Sequence, residues 1–519
     1  MSLNSVLVGS NVLRLVLFLV IVTPGIGGEA VGWRPLSLDE CIQLALRNNY
    51  DIQIERLNPE IARYNLFGAD GAYEPVFTFR AGEQLLTVPG GIDPKKSGID
   101  SPYELTTDSV GMGVSGVLPT GLQYGVQATS SRLKELTDFR SVPGSLFFYP
   151  PGGIRNTNQY TSSAAITLQQ PLLRDFWIDR YRQTILVSQK NLKLTEMALR
   201  WRMMNLVYAV EQAYYELVYA REKEKVDAQA VHLAEQLVFG IRKQVEVGKT
   251  PALEVQQVSA QLETVRTGLF GSQQALARQR NVLKNLIADD FRSWAEVGID
   301  PSESLMTVPY ASDRVESWRN AIDRRPDLAE LRLELEKQGI LVRYRFNQLF
   351  PSLDLVGGFG LQSQESSSEA GLEDIRDRSK PQYGFGVVLS IPLSGNQAAR
   401  NSYKASQAAK RQAVLQLKKL EQNILVQVDD SLNQVQSAHH RTESARQARL
   451  YAEMALTGEQ LKLADGVSTA FFVLQYQQKL TEAHTVEIRA LADYNLALAQ
   501  LALSEGRSLE KNHINLQVK

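Results

Sequence analysis

Three short patterns in this chain of 519 residues could bind a nucleotide or a metal ion. Residues 111–116 have the glycine spacing of a dinucleotide-binding loop, but a turn at 119–121 follows them where that loop requires a helix. Residues 248–250 resemble the end of a phosphate-binding loop, yet the position of its first glycine is Lys243, inside a predicted helix. The adjacent histidines at 439–440 should point about 100° apart on a helix. The sequence therefore predicts no catalytic residue, no cofactor and no metal site.

The composition excludes further classes of protein. Cys41 is the only cysteine, so the chain has neither an internal disulfide framework nor a cysteine-rich metal site. Asp and Glu number 57 against 56 Lys and Arg, which gives a net charge of −1 and no general attraction to nucleic acid. Hydrophobic residues make up 44% of the chain, enough to form a folded core. We expect a folded protein that is not an enzyme and does not bind nucleic acid.

The first 30 residues have the pattern of an export signal. Arg14 precedes the apolar run 15–22, and Gly28 and Ala30 place small residues where a signal peptidase cleaves. The run is too short to span a membrane, and no run of about 18 apolar residues follows it. We expect a signal peptide at 1–30 and an exported protein.

The remaining chain is an internal duplication, because residues in its first half recur at constant offsets in its second half. The paired positions are Ala45, Asp51 and Pro75 with Ala321, Asp327 and Pro351, and Gln189, Asn205, Gly240 and Gly248 with Gln407, Asn423, Gly458 and Gly466. The offset falls from 351 − 75 = 276 to 466 − 248 = 218, so the first half has 276 − 218 = 58 extra residues between Pro75 and Gln189. We predict a first repeat at 31–311, a second repeat at 312–505 and a tail at 506–519.

Each repeat ends in a predicted helical hairpin, at about 180–288 and about 400–504. The first helix of each hairpin contains no proline and is about 100 Å long, which suits coiled-coil packing better than a globular domain. Gly248 and Gly466 end these helices, as glycines at helix C-termini do. A linker is predicted at 288–312.

A shorter helical segment opens each repeat. In the first repeat it runs from 37 to 67 and begins with a capping-box pattern at Ser37 and Glu40. In the second repeat the helix at 315–322 breaks at Pro326, and a new helix continues to about Gln348. Strands are expected between these segments and the hairpins.

The strands alternate between apolar residues and polar or glycine residues. They are predicted within 76–170 of the first repeat, as 76–84, 109–118, 122–129 and 163–169, and within 352–391 of the second, as 353–362 and 382–391. Lengths near ten residues suit a transmembrane β-barrel, although a soluble sandwich has the same local pattern. Four to six strands cannot enclose a lumen, so several chains must share one barrel.

The number of barrel strands depends on the turn at Pro119–Gly121. Both ends of each barrel segment lead into helices on the same side of the membrane, so each repeat contributes an even number of strands. The second repeat contributes two, and the first contributes two, or four if the hairpin around Pro119 joins the wall. The sequence leaves both numbers open.

In residues 37–505 the chain resembles the TolC-like outer-membrane efflux protein family. The resemblance rests on residues 38–46, 171–173 and the hairpin tip of the first repeat, and on residues 325–328, 392–393 and the hairpin tip of the second repeat. The three features have the same order in both repeats. It implies a homotrimer with a shared β-barrel among outer-membrane lipid and a periplasmic α-helical tunnel. The barrel of a trimer would have 12 strands if the first repeat contributes two, as the resemblance implies, or 18 strands if it contributes four. It also implies a passive exit duct of a tripartite efflux or type I secretion system, with a periplasmic adaptor (membrane fusion) protein and an inner-membrane pump behind it.

The resemblance gives roles to the hairpin tips. The adaptor-docking residues are Val247, Gly248 and Thr250 in the first tip and Gly466, Val467, Ser468 and Thr469 in the second. The tunnel-gate residues are Phe471, Phe472, Gln475 and Glu254. Family members often carry an acidic residue six positions after the tip glycine. In this chain that position is Glu254 in the first repeat and Phe472 in the second. Three copies of Phe471 or, in better agreement with the acidic position, of Phe472 would then narrow the tunnel with apolar rings, unless both phenylalanines pack inside the hairpin.

One other class of protein remains open from the sequence. A periplasmic coiled-coil scaffold with soluble β-domains would show the same helices and strands without a pore. The sequence does not identify the transported cargo.

Overall fold

The computed structural model describes residues 32–89, 91–93, 98–100, 103–138, 154–248, 251–307, 313–378, 380–512 and 514. The predicted signal peptide at 1–30, Thr250 and the predicted repeat boundary at 311–312 lie outside these residues. In the part of the chain that is described, no helix is long and apolar enough to cross a membrane.

The first repeat contains two short helices, a group of strands and a long helical hairpin. Its elements are β1 Trp33–Leu36, α1 Leu38–Asn48, α2 Tyr50–Asp70, β2 Val76–Val88, β3 Gly91–Asp93, β4 Gly98–Asp100, β5 Tyr103–Val117, β6 Gln123–Asp138, β7 Ile154–Pro171, α3 Arg180–Glu246 and α4 Ala252–Ile287. The two hairpin helices agree with the predicted bounds. Residues 111–116 lie inside β5.

The linker and the second repeat follow the same order. Their elements are α5 Phe291–Trp294, β8 Gly298–Pro301, α6 Arg314–Arg324, α7 Pro326–Asn347, β9 Ser352–Glu365, α8 Ser368–Arg376, β10 Pro381–Ser390, α9 Gln397–Ala464, α10 Ala470–Ser504 and α11 Ser508–Lys511. The order α6, α7, strands, α9, α10 repeats the order α1, α2, strands, α3, α4. The duplicated sequence therefore folds as a duplicated structure.

The single helix predicted at 37–67 is wrong, because the chain breaks at Asn49. This residue is extended, with ψ 125°, and its side chain accepts a hydrogen bond from the Asp51 backbone N–H at 3.0 Å. It ends α1 and caps α2 at the same time. The predicted capping box is present, since the Ser37 hydroxyl accepts from the Glu40 backbone and the Glu40 carboxylate accepts from the Ser37 backbone. The Arg325–Pro326 break in the second repeat is the equivalent of this one.

Six strands form one antiparallel sheet in the order β10-β9-β7-β6-β5-β2. The first repeat supplies four of them, so the hairpin around Pro119 belongs to the same sheet as the other strands. The 58 extra residues of the first half include β5 and β6, which explains the change in offset. Strands β7 and β9 join the two repeats in the middle of the sheet, with Ile166 opposite Phe359.

One face of the sheet is apolar along its whole width. A row of cross-strand neighbours runs through Phe77, Val114, Val126, Ile166, Phe359 and Tyr383. These side chains are exposed to different extents, up to 80% for Tyr383, so no other part of the described protomer covers them fully. The opposite face carries glycine and polar residues, as the alternation predicted. An exposed apolar face of this width is what a strand wall presents to lipid.

The helices form a single layer in which each packs against the next. Near the sheet the order is α2, α3, α7, α9, and farther away it is α4, α3, α10, α9. The two hairpins are joined across α3 and α10 by Arg489, which pairs with Glu216 at 2.9 Å and stacks over Tyr219. The layer is four helices wide and has two open edges.

The described part of the predicted linker, residues 288–307, contains a short helix and a strand. Strand β8 pairs in parallel with β1, with Arg34 opposite Ile299. Buried Tyr214 of α3 fixes this pair, because its hydroxyl donates to the Leu36 carbonyl at 3.1 Å and accepts from the Glu303 backbone N–H. The predicted tail is also partly structured, since Leu509 of α11 lies in the same core.

Candidate functional site

The two hairpin tips lie side by side at the end of the helical layer far from the sheet. Ala470, the first residue of α10, is 1% exposed and packs into an apolar cluster of the first hairpin that includes Val238, Ile241 and Val258. This contact joins the tip residues that the sequence assigned separately to each repeat. Both tips are therefore available to one partner.

A glycine at each tip reverses the chain. Gly248 has φ 72° and Gly466 has φ 78°, a left-handed conformation that other residues adopt only with strain. At Gly466 two hydrogen bonds complete a Schellman motif, from the Val467 N–H to the Lys462 carbonyl at 2.9 Å and from the Gly466 N–H to the Leu463 carbonyl at 3.1 Å. The predicted role of both glycines as helix terminators is confirmed.

A carboxylate that the sequence analysis missed holds the second tip. The Glu459 side chain is largely buried and accepts hydrogen bonds from the Ser468 hydroxyl at 2.5 Å and from the Lys462 ammonium at 3.1 Å. These two contacts, first the Ser468 hydrogen bond, lower the pKa of Glu459. The predicted docking residue Ser468 thus has a structural role in the turn. In the sequence, a glutamate shortly before the end of α9 and a serine just after its terminating glycine could have predicted this hydrogen bond.

The other predicted docking residues are exposed wherever the structure describes them. Val247 is 68% exposed and Val467 is 76% exposed, large values for apolar side chains. Gly248, Gly466 and Thr469 are also exposed, whereas Thr250 lies outside the described residues. An exposed valine beside each tip glycine, before Gly248 and after Gly466, gives the end of the helical layer a small apolar surface.

The predicted gate residues of α10 form one exposed patch. Phe471 is 60% exposed, Phe472 is 46% exposed, and their rings meet edge to face with centroids 5.7 Å apart. Gln475, one turn further on, is exposed beside them. The buried residues of this turn are Ala470 and Val473, so the hairpin interior does not contain the phenylalanines. Glu254 is separate from the patch, half-buried in the first turn of α4.

The adjacent histidines lie closer together than helical spacing suggested. The rings of His439 and His440 have centroids 6.0 Å apart, and with Glu443 their potential ligand atoms all lie within 4.8 Å of one another. The His439 ring packs against buried Tyr494 of α10 at 5.7 Å. Two of the three residues are exposed, and exposed groups of this kind are common without an ion. We assign no ion to this group.

The sheet and the helical layer end at the same two edges. On one side, α2 leads directly into β2, and α4 lies below them. On the other side, β10 leads directly into α9. Strands β2 and β10 each have a neighbour in the six-stranded sheet on one side only. Unpaired edges of 13 and 10 residues are open to pairing with another chain.

Comparisons with known proteins agree with this geometry. The family model "Outer membrane efflux protein" matches residues 119–289 and 318–507, one match in each repeat. The chain is 22% identical over 332 residues to a probable outer membrane lipoprotein, SilC, of Salmonella typhimurium, covering 63% of this chain and 69% of SilC. It is 21% identical over 306 residues to the cation efflux system protein CusC of Escherichia coli strain K12, covering 59% of this chain and 64% of CusC.

Solved structures show the same fold. The CmeC outer membrane channel of Campylobacter jejuni superposes with a TM-score of 0.64 at 15% identity, over 93% of this chain and 90% of CmeC. The outer-membrane channel OprN superposes with a TM-score of 0.65 at 15% identity, over 90% of this chain and 89% of OprN. The predicted fold class and the resemblance stated above are confirmed.

Proposed function

Because the chain belongs to the outer membrane efflux protein family, we propose that three copies of it close into one passive duct through the outer membrane and the periplasm. Its place in the outer membrane agrees with the names of its relatives. Closure places the open edge of α2, β2 and α4 against the α9 and β10 edge of the next copy. The observation that carries the proposal is that sheet and helices end at the same two edges.

The strand directions support this closure. In the antiparallel order β10-β9-β7-β6-β5-β2, the two edge strands run in opposite directions. Pairing β10 of one copy with β2 of the next is therefore antiparallel, like every other pair in the sheet. Closure also removes the exposed edges that would otherwise promote aggregation.

The dimensions favour 18 strands over 12. Eighteen strands spaced by about 4.8 Å and tilted by about 40° give a circumference of about 113 Å. Three layers of four helices spaced by about 9.5 Å give a circumference of about 114 Å. Twelve strands would give only about 75 Å, and the wall would narrow sharply where it meets the helices. A barrel of six strands per protomer and a tunnel of four helices per protomer would thus have the same radius, about 18 Å.

Engineered cysteines test the closure. Cys41 is fully buried, and burial raises the pKa of its thiol to about 12, so the native thiol should not interfere. Cysteine pairs are scanned along polar-face positions of β2 (Thr78, Arg80, Gly82) and β10 (Gln382, Gly384, Gly386). At least one pair should link three chains covalently under mild oxidation.

A second pair within the chain serves as the control. Gln127 of β6 lies opposite Ala165 of β7, so cysteines there should form an intrachain disulfide if the Pro119 hairpin belongs to the wall. A control disulfide without any interchain link across the scan would contradict closure between copies. Failure of the control pair in a folded protein would contradict the 18-stranded wall.

The duct itself should transport by diffusion, with the energy supplied by an inner-membrane pump. We propose that the periplasmic adaptor of that pump docks on the exposed tips. Val467→Asp should abolish efflux in cells while the purified trimer keeps its conductance in planar bilayers. The same change at Val315, which is 58% exposed on α6, is the control and should leave efflux intact. Equal efflux from both variants would rule out docking at the second tip.

We also propose that Phe472 narrows the tunnel entrance. Its exposure and its contact with Phe471 leave two apolar rings outside the packed interior of the hairpin, and closure would bring three copies of them together around the tunnel axis. Apolar constrictions close aqueous pores by excluding water. Phe472→Ala should raise the conductance of the trimer, and Phe472→Asp should add block by divalent cations. Unchanged conductance and block in both folded variants would move the gate elsewhere.

A further inference from the structure

A groove of about 770 Å³ lies where the sheet meets the helical layer. Its residues come from the segment after β7, the start of α3, the end of α7 and the start of α9, and they include Trp177, Leu186, Phe346, Phe350 and Tyr403. Nothing in the proposed duct uses this groove. We propose that it binds an anionic glycerophospholipid of the periplasmic leaflet, with Arg343 as the phosphate ligand.

The groove continues the lipid-facing side of the sheet. Leu172 follows β7, and its N–H donates to the Leu353 carbonyl at 2.7 Å, which extends the ladder by one residue. Alternation puts Leu172 on the same face as Ile166 and Leu168. The groove therefore begins where the apolar face ends, at the periplasmic boundary of the hydrocarbon layer.

The apolar wall suits an acyl chain. Phe346 meets the Phe350 ring edge to face at 5.4 Å and the Tyr403 ring at 5.7 Å, which makes a continuous aromatic surface. Trp177, 79% exposed, lines the same groove with an indole that suits the membrane interface. Aromatic side chains at this level are typical of barrel proteins and define where lipid headgroups begin.

The charge in the groove is positive and unsatisfied. Arg343 is exposed, and no residue in the described part of the chain forms a hydrogen bond or an ion pair with it. No acidic side chain lines the groove. The other arginine there, Arg182, is fully used, because it donates to the carbonyls of Pro119, Phe176 and Trp177. The guanidinium of Arg343 is thus free to bind a phosphate group. Its two parallel N–H donors match two phosphate oxygens.

The backbone that presents Trp177 is already fixed. Arg182 joins it to the turn at Pro119, and buried Asn347 accepts a hydrogen bond from the Asp175 N–H at 2.7 Å and donates to the Leu173 carbonyl. A groove fixed in this way loses little conformational entropy on binding. It also lies within one protomer, between α3, α7 and the side of α9 on which Tyr403 packs against α7, whereas a second copy would contact the opposite side of α9. This location favours lipid over a second copy as the occupant, and the inference does not depend on trimer closure.

Fluorescence quenching by brominated lipids tests the proposal on the purified full-length protein in detergent. Dibromo-phosphatidylglycerol should quench the protein at lower concentrations than dibromo-phosphatidylcholine does. Trp177→Phe should abolish the saturable part of the quenching, which locates the lipid. Arg343→Ala should weaken the apparent affinity for phosphatidylglycerol about fivefold. It should weaken that for phosphatidylcholine less, because the choline ammonium already offsets the charge of its phosphate.

Arg345→Ala is the matched control, because Arg345 lies on the same helix but stacks on Tyr344 and does not line the groove. Its affinity for phosphatidylglycerol should equal that of the native protein. Equal losses in the two arginine variants, equal quenching by both lipids, or quenching that survives in Trp177→Phe would each overturn the proposal. So would displacement of the brominated lipid by millimolar inorganic phosphate, since that would indicate a simple anion site.

Discussion

Replacing Arg325 by alanine should destabilise the helical layer by about 4 kcal/mol. The side chain is buried where α7 begins and α10 ends, and it contacts four elements. Its guanidinium pairs with both carboxylate oxygens of Asp327, at 3.1 and 2.7 Å, and donates to Gln427 at 2.9 Å and to the Ser504 carbonyl at 3.5 Å. It also lies over the Trp201 ring, 5.1 Å from its centroid.

The magnitude follows from what the substitution leaves behind. Removing one partner of a buried ion pair costs about 3–5 kcal/mol, because the other charge stays buried without compensation. Asp327 is 18% exposed and keeps a hydrogen bond from the Leu328 N–H, so the lower end of about 3 kcal/mol applies. Loss of the contact with Trp201 adds about 1 kcal/mol. Removing Asp327 as well should recover part of the loss, because no unpaired carboxylate then remains.

The neighbouring arginine provides the control. Arg324 has a half-exposed side chain and pairs with exposed Glu510, so Arg324→Ala should cost less than about 1 kcal/mol. Urea denaturation in detergent, followed by fluorescence in a variant that keeps only Trp201 of the five tryptophans, measures both. If Arg325→Ala costs no more than Arg324→Ala, the buried network does not stabilise this junction and the reasoning fails.

Three further predictions concern pH and backbone conformation. Burial, then the neighbouring carboxylates Asp327 and Glu55, raise the pKa of Glu330 to about 7, so the free energy of unfolding should fall as pH rises from about 4.5 to about 7. Glu330→Gln should remove that dependence in urea titrations; an unchanged pH profile would contradict it. The lowered pKa of Glu459 has the opposite sign: it stabilises the second tip above the ordinary glutamate pKa, and this stability is lost as pH falls through the lowered value. Ser468→Ala should therefore speed hydrogen exchange of the tip amides at neutral pH, and an unaltered rate would show that the hydrogen bond contributes nothing. In urea titrations, Gly466→Ala should lower the free energy of unfolding by about 1–2 kcal/mol, because residue 466 has a left-handed conformation. Gly458→Ala, within α9 and with open space around it, should raise the free energy of unfolding slightly. Equal shifts in the two variants would contradict the left-handed turn as the cause.

The sequence by itself determined the parts of this protein that depend on local patterns. Helices α3 and α9 follow from long proline-free stretches, and their ends follow from Gly248 and Gly466, since only glycine reverses the chain there without strain. The strands follow from their alternation, because a period of two exposes one apolar face regardless of what pairs with it. The duplication follows from the constant offsets. These features needed no knowledge of contacts between distant residues.

Local patterns could not place residues whose partners are far away in the chain. The sequence left the strand number at 12 or 18, because it does not show which strands β5 and β6 pair with. The pairing of β8 with β1 was missed, since four-residue strands carry too little periodicity to predict. The break at Asn49 was missed because an asparagine within a polar helical segment is not by itself a terminator.

The tips and the groove show the same division. The sequence indicated which residues turn the chain, but only the folded hairpins show that Ala470 and Val473 are buried while Phe471 and Phe472 are exposed. Arg343 and Trp177 are separated by more than 160 positions in the sequence and share one groove only because α3 and α7 pack together. Local backbone preference and periodicity act between neighbouring residues and can be read in order. Burial and pairing between distant segments depend on which surfaces meet, and that is decided only when the chain folds.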